Sequence, residues 1–353
     1  MSDTKYAYAV ARIRALENGL FSSAQIEQLL SVKSYEGALR FLTEHGWGDA
    51  DTPLSAEAIL TREKTKTWET VRDLLKGDDA ILAVLSYGDL YHNLKAAIKD
   101  AAAPGSHGNV YFDDCEVDGV RMAKIVAEKD WQALPAHMRE AAKEASETFL
   151  HTSDGQLCDI IVDRAALAAI YECGKNASDA IIRDYAETTV AVADIKIAVR
   201  SQKTGKHLDF MRRAMAPCDS LNIERLSQAA LGGAGAICEY LEGTRYAGGA
   251  QALKESPSAF ERWCDNQLIE TIKPQKYNPF TAGPLVAYVL AKENEIKTVR
   301  IILTARLNGL EEEQIRERII REVLKSGKPG QAPGNLTATM SQPEAVRSIR
   351  QAR

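Results

Sequence analysis

A three-residue string recurs three times along this chain, at a constant spacing of 101 residues. The copies are Asn93-Leu94-Lys95, Asp194-Ile195-Lys196 and Glu295-Ile296-Lys297. Each holds an acid or amide, then an apolar residue, then lysine, and each lies where apolar residues recur with helical spacing. Short matches arise by chance, but equal spacing in the same helical context indicates an internal repeat. We therefore expect three similar modules of about 100 residues each.

Clusters of helix-breaking residues indicate where the modules begin and end. A loop is predicted at residues 104–109, which contain one proline and two glycines, and a weaker boundary is predicted at residues 216–220. The resulting modules cover residues 1–103, 104–216 and 217–324. Residues 325–353 begin with a stretch rich in glycine and proline and poor in apolar side chains, so they are predicted to form a disordered tail.

Apolar residues recur at three- and four-residue steps along most of the chain, which is typical of helices with one buried face. The first such series is Tyr6, Val10, Ile13, Leu16 and Leu20. Ser22, followed by Gln25 three residues later, predicts a capping box at the start of the next helix. Alternating β-branched runs bounded by turns are hard to find. The predicted fold class is therefore all-α, with three similar helical modules.

The repeated strings also carry a pattern of positive charge. On a helix, the apolar residue of each string should face the module interior and its polar neighbours should flank it, because adjacent residues do not share a face. A second cation follows each lysine, which gives the basic pairs Lys95 with Lys99, Lys196 with Arg200, and Lys297 with Arg300. These pairs form either a threefold interaction face for an acidic partner or anionic head groups, or ion pairs within the chain. Exposed ion pairs usually contribute little to stability.

Composition excludes some classes of protein. The net charge of −5 argues against a nucleic-acid binder, which usually has a basic domain or stripe. No two of the six cysteines have a C-x-x-C spacing, so we expect reduced, buried thiols rather than a zinc or redox site. The longest uncharged stretch covers residues 277–291, which is shorter than the roughly 20 residues of a spanning helix. No signal peptide or membrane span is predicted.

Three motifs that could indicate enzyme chemistry are incomplete. The glycine run at residues 232–235 lacks the preceding strand and the lysine of a phosphate-binding loop, so helix packing or a helix break is predicted there. Asp114, Glu116 and Asp118 begin like a calcium loop, but the position that requires glutamate is Ile125. The six histidines form no metal-binding motif such as H-E-x-x-H. No catalytic residue, cofactor or metal ion is therefore predicted.

The region around the first string is similar to a known family. Residues 87–99, which read YGDLYHNLKAAIK, resemble the signature of the C-subunit family of V/A-type ATPases (ATP synthases), the counterpart of the d subunit in eukaryotic vacuolar ATPases. Residues 6–14 resemble the opening helix of that family. Residues 154–165 resemble the start of its middle module, and residues 284–300 resemble its last module. The order and spacing of these segments carry the resemblance over residues 6–324.

The resemblance implies a non-catalytic central-stalk (rotor) component, present once in a hetero-oligomeric complex. Its three modules would form a funnel on the membrane proteolipid ring, at the cytoplasmic side, and the shaft made of the D and F subunits would dock into the open end. The protein would then couple ATP turnover to H⁺ or Na⁺ transport in either direction. The alternative is a helical-repeat scaffold that binds other proteins, although such repeats normally span 30–50 residues.

Overall fold

The computed structural model describes residues 5–77, 80–102, 111–112, 115–316 and 319. Within these ranges the chain is helical and contains no strand, which confirms the predicted all-α class. None of the described helices combines the length and the apolar character that crossing a bilayer requires. The predicted loop at residues 104–109 and the predicted tail at residues 325–353 lie outside the described residues.

The helices are numbered in chain order. The first nine are α1 Ala7–Leu16, α2 Ser23–Ser31, α3 Tyr35–Glu44, α4 Ala56–Leu75, α5 Ala80–Ala83, α6 Tyr87–Ala102, α7 Gly119–Glu128, α8 Arg139–Thr152 and α9 Gly155–Lys175. The others are α10 Ala180–Thr204, α11 Leu208–Ala214, α12 Ile223–Gly232, α13 Ala234–Glu242, α14 Ala247–Glu255, α15 Pro257–Ile272, α16 Gly283–Leu307 and α17 Glu312–Arg316. Short 3₁₀ helices lie at Glu17–Gly19, Val84–Ser86, Trp131–Ala133, Ala136–Met138 and Lys273–Tyr277.

Side-chain caps determine where many of these helices begin. The predicted capping box is confirmed: Ser22 accepts a hydrogen bond from the Gln25 amide, and the Gln25 side chain accepts one from the Ser22 amide. Such caps satisfy amide groups that have no partner inside the helix. The other serine, aspartate and asparagine caps that accept an amide hydrogen bond are Ser34, Ser55, Asp118, Asp154, Asn222 and Ser256.

The three repeated strings lie on α6, α10 and α16. The apolar residue of each string, Leu94, Ile195 or Ile296, is buried as predicted. Each of the three helices packs along a second long helix: α6 along α9, α10 along α15, and α16 along α4. Each repeated string thus lies on a helix that has a second long helix packed along it, and the three similar modules stay a prediction.

Each helix pair belongs to a separate hydrophobic cluster. Helices α6 to α9 enclose one cluster, and α10 to α15 enclose another. The cluster around α16 is completed by α2, α3 and α4 from the beginning of the chain. A further cluster joins residues of α1, α4, α9, α10, α15 and α16. Helices from the first and last parts of the described chain thus share one core. The module boundaries at residues 103 and 216 stay a prediction.

Candidate functional site

The basic pair of the first string lies between α6 and α9. Lys95 Nζ lies 2.6 Å from Asp163, and Lys99 Nζ lies 2.6 Å from Asp159. The two lysines are four residues apart on α6 and the two aspartates are four residues apart on α9, so each pair occupies one turn of its helix. Both cations of this string therefore connect the two helices of their own pair.

Both cations of the second string and the lysine of the third string converge on α15. Lys196 lies 3.3 Å from Glu261 and 3.4 Å from Asp265, and Arg200 lies 3.4 Å from Glu261. Lys297 approaches from α16 and lies 2.8 Å from the same Asp265. Burial alone would lower the pKa of Lys196, but the neighbouring carboxylates raise it above its ordinary value. The acids of α15 therefore link α10 to α16.

The remaining predicted cation, Arg300, pairs with Glu57 of α4 at 2.7 Å. All six predicted cations thus have a carboxylate partner in the chain. The side chains of Arg200, Lys297 and Arg300 are nevertheless 69%, 51% and 49% exposed, so these three present positive charge to solvent. An interaction face formed by the six cations stays a prediction.

The first residue of each string is buried, which corrects the flanking position predicted for it. Asn93 and Asp194 have no exposed surface, and Glu295 is only 7% exposed. The physical reason is shared: each side chain accepts a hydrogen bond from a backbone N–H, and a buried polar group requires such a partner. We call these three residues the clamp residues. The only signal in the sequence is that each string begins with a side chain that can accept a hydrogen bond.

The first two clamp residues hold segments that follow them in the chain. Asn93 Oδ1 accepts a hydrogen bond from the Phe112 amide at 2.8 Å, and its Nδ2 donates to the Phe112 carbonyl at 2.8 Å. Asp194 Oδ1 accepts from the Ala216 amide at 3.1 Å. Phe112 lies 19 residues after Asn93, and Ala216 lies 22 residues after Asp194. The two contacts therefore occupy comparable places in successive modules.

Replacing Asn93 with alanine should lower the free energy of unfolding by about 1–3 kcal/mol, because the amide and carbonyl of Phe112 would lose their partner. Urea denaturation of the full-length chain measures this change. The control is Lys95→Ala, which breaks a partly exposed ion pair on the same helix and should cost about 0–1 kcal/mol. Equal losses in the two variants would contradict the clamp role.

Asp194 is a buried acid with an incomplete set of partners. Its Oδ1 accepts the Ala216 hydrogen bond, whereas its Oδ2 has no hydrogen-bond partner among the described residues. Burial raises the pKa of Asp194 to about 8; the Ala216 N–H and Arg164 oppose this rise, and Glu187 adds to it. Asp194 is therefore mainly protonated at neutral pH. In that form it is uncharged, like the amide of Asn93 at the corresponding position of the first string.

The third clamp residue, Glu295, belongs to a buried charge network that joins the two ends of the chain. Its carboxylate accepts a hydrogen bond from the Phe21 amide and lies 2.7 Å from Lys292 Nζ. Lys292 also lies 3.0 Å from Glu63, and all three charged side chains are less than a tenth exposed. Burial alone would raise the pKa of Glu63, but Lys292 and Lys66 hold it below its ordinary value.

Charged groups of the second and third strings also meet in a cavity of about 300 Å³ between α10, α15 and α16. The charged residues that line it are Lys196, Asp265, Glu293 and Lys297. Burial raises the pKa of Glu293 to about 7, although the Lys64 charge and a hydrogen bond from Trp68 Nε1 at 3.0 Å oppose the rise. Glu293 is thus a second acid that titrates near neutral pH.

Two residues from the motifs that could have indicated enzyme chemistry take structural roles. Gly233 separates α12 from α13 with a φ of +105°, which confirms a helix break in the glycine run. Asp118 caps α7 by accepting a hydrogen bond from the Arg121 amide at 2.9 Å, and Ile125 is buried. Asp114 lies outside the described residues. Among the residues that are described, no group of three or more histidines, cysteines or acids is arranged to hold a metal ion.

Comparison with known proteins gives a consistent result over nearly the whole chain. The C subunit of the A-type ATP synthase of Methanocaldococcus jannaschii is 21% identical, over 89% of this chain and 86% of that protein. The C subunit of the V-type ATP synthase of Thermus thermophilus is 26% identical, over 89% of this chain and 98% of that protein. The C subunit of the V-type sodium ATPase of Enterococcus hirae is 20% identical, over 74% of this chain and 81% of that protein.

Residues 9–318 match the family described as ATP synthase (C/AC39) subunit. This match includes all three repeated strings, the three clamp residues and the six predicted cations. It also covers the helices from the first and last parts of the described chain that share the core around α16. The chain therefore belongs to the ATP synthase (C/AC39) subunit family.

Proposed function

We propose that this chain is the non-catalytic central-stalk component of a V/A-type rotary ATPase, the equivalent of the d subunit in eukaryotic vacuolar ATPases. It would couple the shaft made of the D and F subunits to the membrane proteolipid ring, so that ATP turnover drives or is driven by H⁺ or Na⁺ transport. The observation that carries the proposal is the family match over residues 9–318. The relatives named as C subunits of A-type or V-type ATP synthases align over most of their own length.

The internal construction suits a part that transmits torque. Helices stiffen a chain along their axes, and the ion pairs of the six cations connect neighbouring helices. The core around α16 joins helices that are far apart in the sequence, so torque on one of them is passed directly to the other. We propose that the three helix pairs surround a funnel, at the cytoplasmic side of the membrane, with one copy of this protein in each complex.

A clean deletion tests the proposal in membrane vesicles. ATP hydrolysis by the soluble head should persist, whereas ATP-driven ion pumping should be lost, because the head and the ring would no longer be mechanically connected. Adding the purified full-length chain back should restore pumping. Lys292→Met, which removes the buried cation between Glu63 and Glu295, serves as the control. Adding back this destabilised variant tests whether restored pumping requires the folded chain. Normal pumping in the deletion vesicles would refute the coupling role.

The deletion experiment also separates this proposal from the helical-repeat scaffold. A scaffold that only recruits proteins would change the amount of assembled complex and would lower hydrolysis and pumping together. Removing a coupling component instead lowers the ratio of ions transported to ATP molecules hydrolysed. Measuring both rates in the same vesicles gives that ratio directly, and pumping by wild-type vesicles with and without added Na⁺ identifies the transported ion.

A further inference from the structure

The segment that connects α15 to α16 exposes two aromatic side chains. Tyr277 is 82% exposed and Phe280 is 55% exposed, and Lys276 lies next to them in the chain. We call Lys276, Tyr277 and Phe280 the aromatic loop. A single exposed apolar residue is ordinary, but two aromatic rings on one short loop have the composition of an interface hot spot. Such rings supply a large contact area with few rotatable bonds.

The backbone of the aromatic loop is held in place from both sides. Arg14 of α1 donates hydrogen bonds to the carbonyls of Gln275, at 2.6 Å, and Lys276, at 3.0 Å. On the other side, a β-carbon on Gly283 would lie only 2.0 Å from the Gln275 side chain, so the loop rests directly on the start of α16. The loop is therefore fixed before any partner binds, which reduces the entropy lost on binding.

The charge of the aromatic loop indicates the chemistry of its partner. Residues 271–291 contain two lysines and no acid. Lys273 pairs with Glu270 at 2.5 Å, whereas Lys276 has no carboxylate within ion-pair distance in the part of the chain that the structure describes. The nearby Glu17 is engaged by Arg14 at 2.5 Å. The charge of Lys276 acts on Glu17 without forming an ion pair, and Lys276 Nζ lies 5.9 Å from the centre of the Tyr277 ring. Positive charge thus lies beside two exposed rings, and a complementary surface would be acidic around an apolar pocket.

A membrane surface is a poorer match for this loop. Segments that bind anionic lipids usually carry clusters of about 4–8 basic residues, whereas the aromatic loop contains one lysine. A loop with a fixed backbone is also better suited to a partner of defined shape. We propose that the aromatic loop docks on another protein, at a surface that combines acidic residues with an apolar pocket. This inference rests on the proposed function only in placing that protein in the same ATPase complex.

The test uses the full-length chain and the complex isolated from cells that lack it. Rebinding is titrated for the wild type, for Tyr277→Ala/Phe280→Ala and for the control Val120→Ala/Leu150→Ala, whose residues are 84% and 57% exposed elsewhere. The loop variant should bind about 10-fold or more weakly at an unchanged melting temperature, and the control should bind like the wild type. Lys276→Glu should also weaken binding, and more so at low salt.

A photoreactive phenylalanine analogue at position 277 identifies the partner. A cross-link to an acidic segment of another protein of the complex supports the proposal, whereas a cross-link to lipid, to a second copy of this chain or to residues 320–353 overturns it. Equal affinity of the loop variant and the control overturns it as well, while leaving the proposed function intact if the wild type rejoins the complex. A wild-type chain that does not rejoin the complex overturns both.

Discussion

Replacing Lys292 with methionine should lower the free energy of unfolding by about 3–5 kcal/mol. Lys292 lies 3.0 Å from Glu63 and 2.7 Å from Glu295, and its side chain is only 8% exposed. The substitution would leave two carboxylates buried close together without the cation between them. Burying an uncompensated charge costs far more than an exposed ion pair contributes. Urea denaturation of the full-length chain, with linear extrapolation to water, measures the loss.

The matched control for this prediction is Lys297→Met on the same helix. Lys297 also pairs with an acid, Asp265 at 2.8 Å, but its side chain is 51% exposed, so we expect a loss of less than about 1 kcal/mol. A triple variant that adds Glu63→Gln and Glu295→Gln to Lys292→Met should recover part of the stability, because no buried charge would remain unpaired. Similar losses of unfolding free energy for Lys292→Met and Lys297→Met would contradict the prediction that burial makes the Lys292 network more important for stability than the exposed Lys297 ion pair.

Raising the pH from about 5 to 8 should destabilise the folded protein, by up to ~1.4 kcal/mol per pH unit for each acid whose pKa is raised by folding. The pKa of Asp194 rises from 3.8 to about 8 on folding, so between these values the folded state holds a proton that the unfolded state has released. Stability therefore falls as the pH rises through this window and levels off above it. Thermal unfolding measured at several pH values tests the sign.

Two substitutions by uncharged residues separate the contributions of Asp194 and Glu293 to the pH dependence of stability. Asp194→Asn keeps the oxygen that accepts the Ala216 amide and should remove the part of the slope that extends to about pH 8. Glu293→Gln should remove only the part between its ordinary pKa of 4.5 and about 7. Above pH 8, Asp194→Asn should be more stable than the wild type. An unchanged pH dependence in Asp194→Asn would mean that Asp194 is already ionised in the folded state.

At lower pH, Glu63 has the opposite effect, because the stability that it contributes increases as the pH rises. Its folded pKa lies below the ordinary value of 4.5 because Lys292 and Lys66 outweigh the effect of burial. The stability that it contributes is present above pH 4.5 and is lost as the pH falls through the folded pKa. The wild type should therefore be most stable in mildly acidic solution. Lys292→Met should shift that pH optimum, because removing the lysine raises the free energy of ionised Glu63 in the folded state.

Local features of the sequence were sufficient for the fold class and for several details. Periodicity predicted the helices, and residue types with strong local preferences predicted the Ser22 capping box and the helix break in the glycine run. The resemblance at residues 87–99 indicated the C-subunit family, which the match over residues 9–318 confirms. These features depend on residues that are close in the sequence, so the chain itself reveals them.

The buried role of the clamp residues could not be predicted with the same reasoning. A polar residue on a helix is exposed unless another segment supplies a hydrogen-bond partner, and for Glu295 that partner is the Phe21 amide, 274 residues away. The six cations were found from their spacing, but their partners lie on other helices, as Asp265 on α15 does for both Lys196 and Lys297. Spacing along one helix contains no information about the charge of the helix packed against it.

The repeated string thus predicted three similar helical units, each with an apolar residue that faces a core, and the burial of Leu94, Ile195 and Ile296 confirms the second part of that prediction. The sequence pattern did not reveal that α16 shares its core with α2, α3 and α4, which come from the first part of the chain; the folded structure shows this contact. Residues of the first helices, such as Leu29, Leu39 and Leu60, pack against the apolar face of α16 in this core. The hydrophobic effect is non-directional and does not depend on how far apart two apolar surfaces lie in the sequence. The first helices can therefore bury the apolar face of α16.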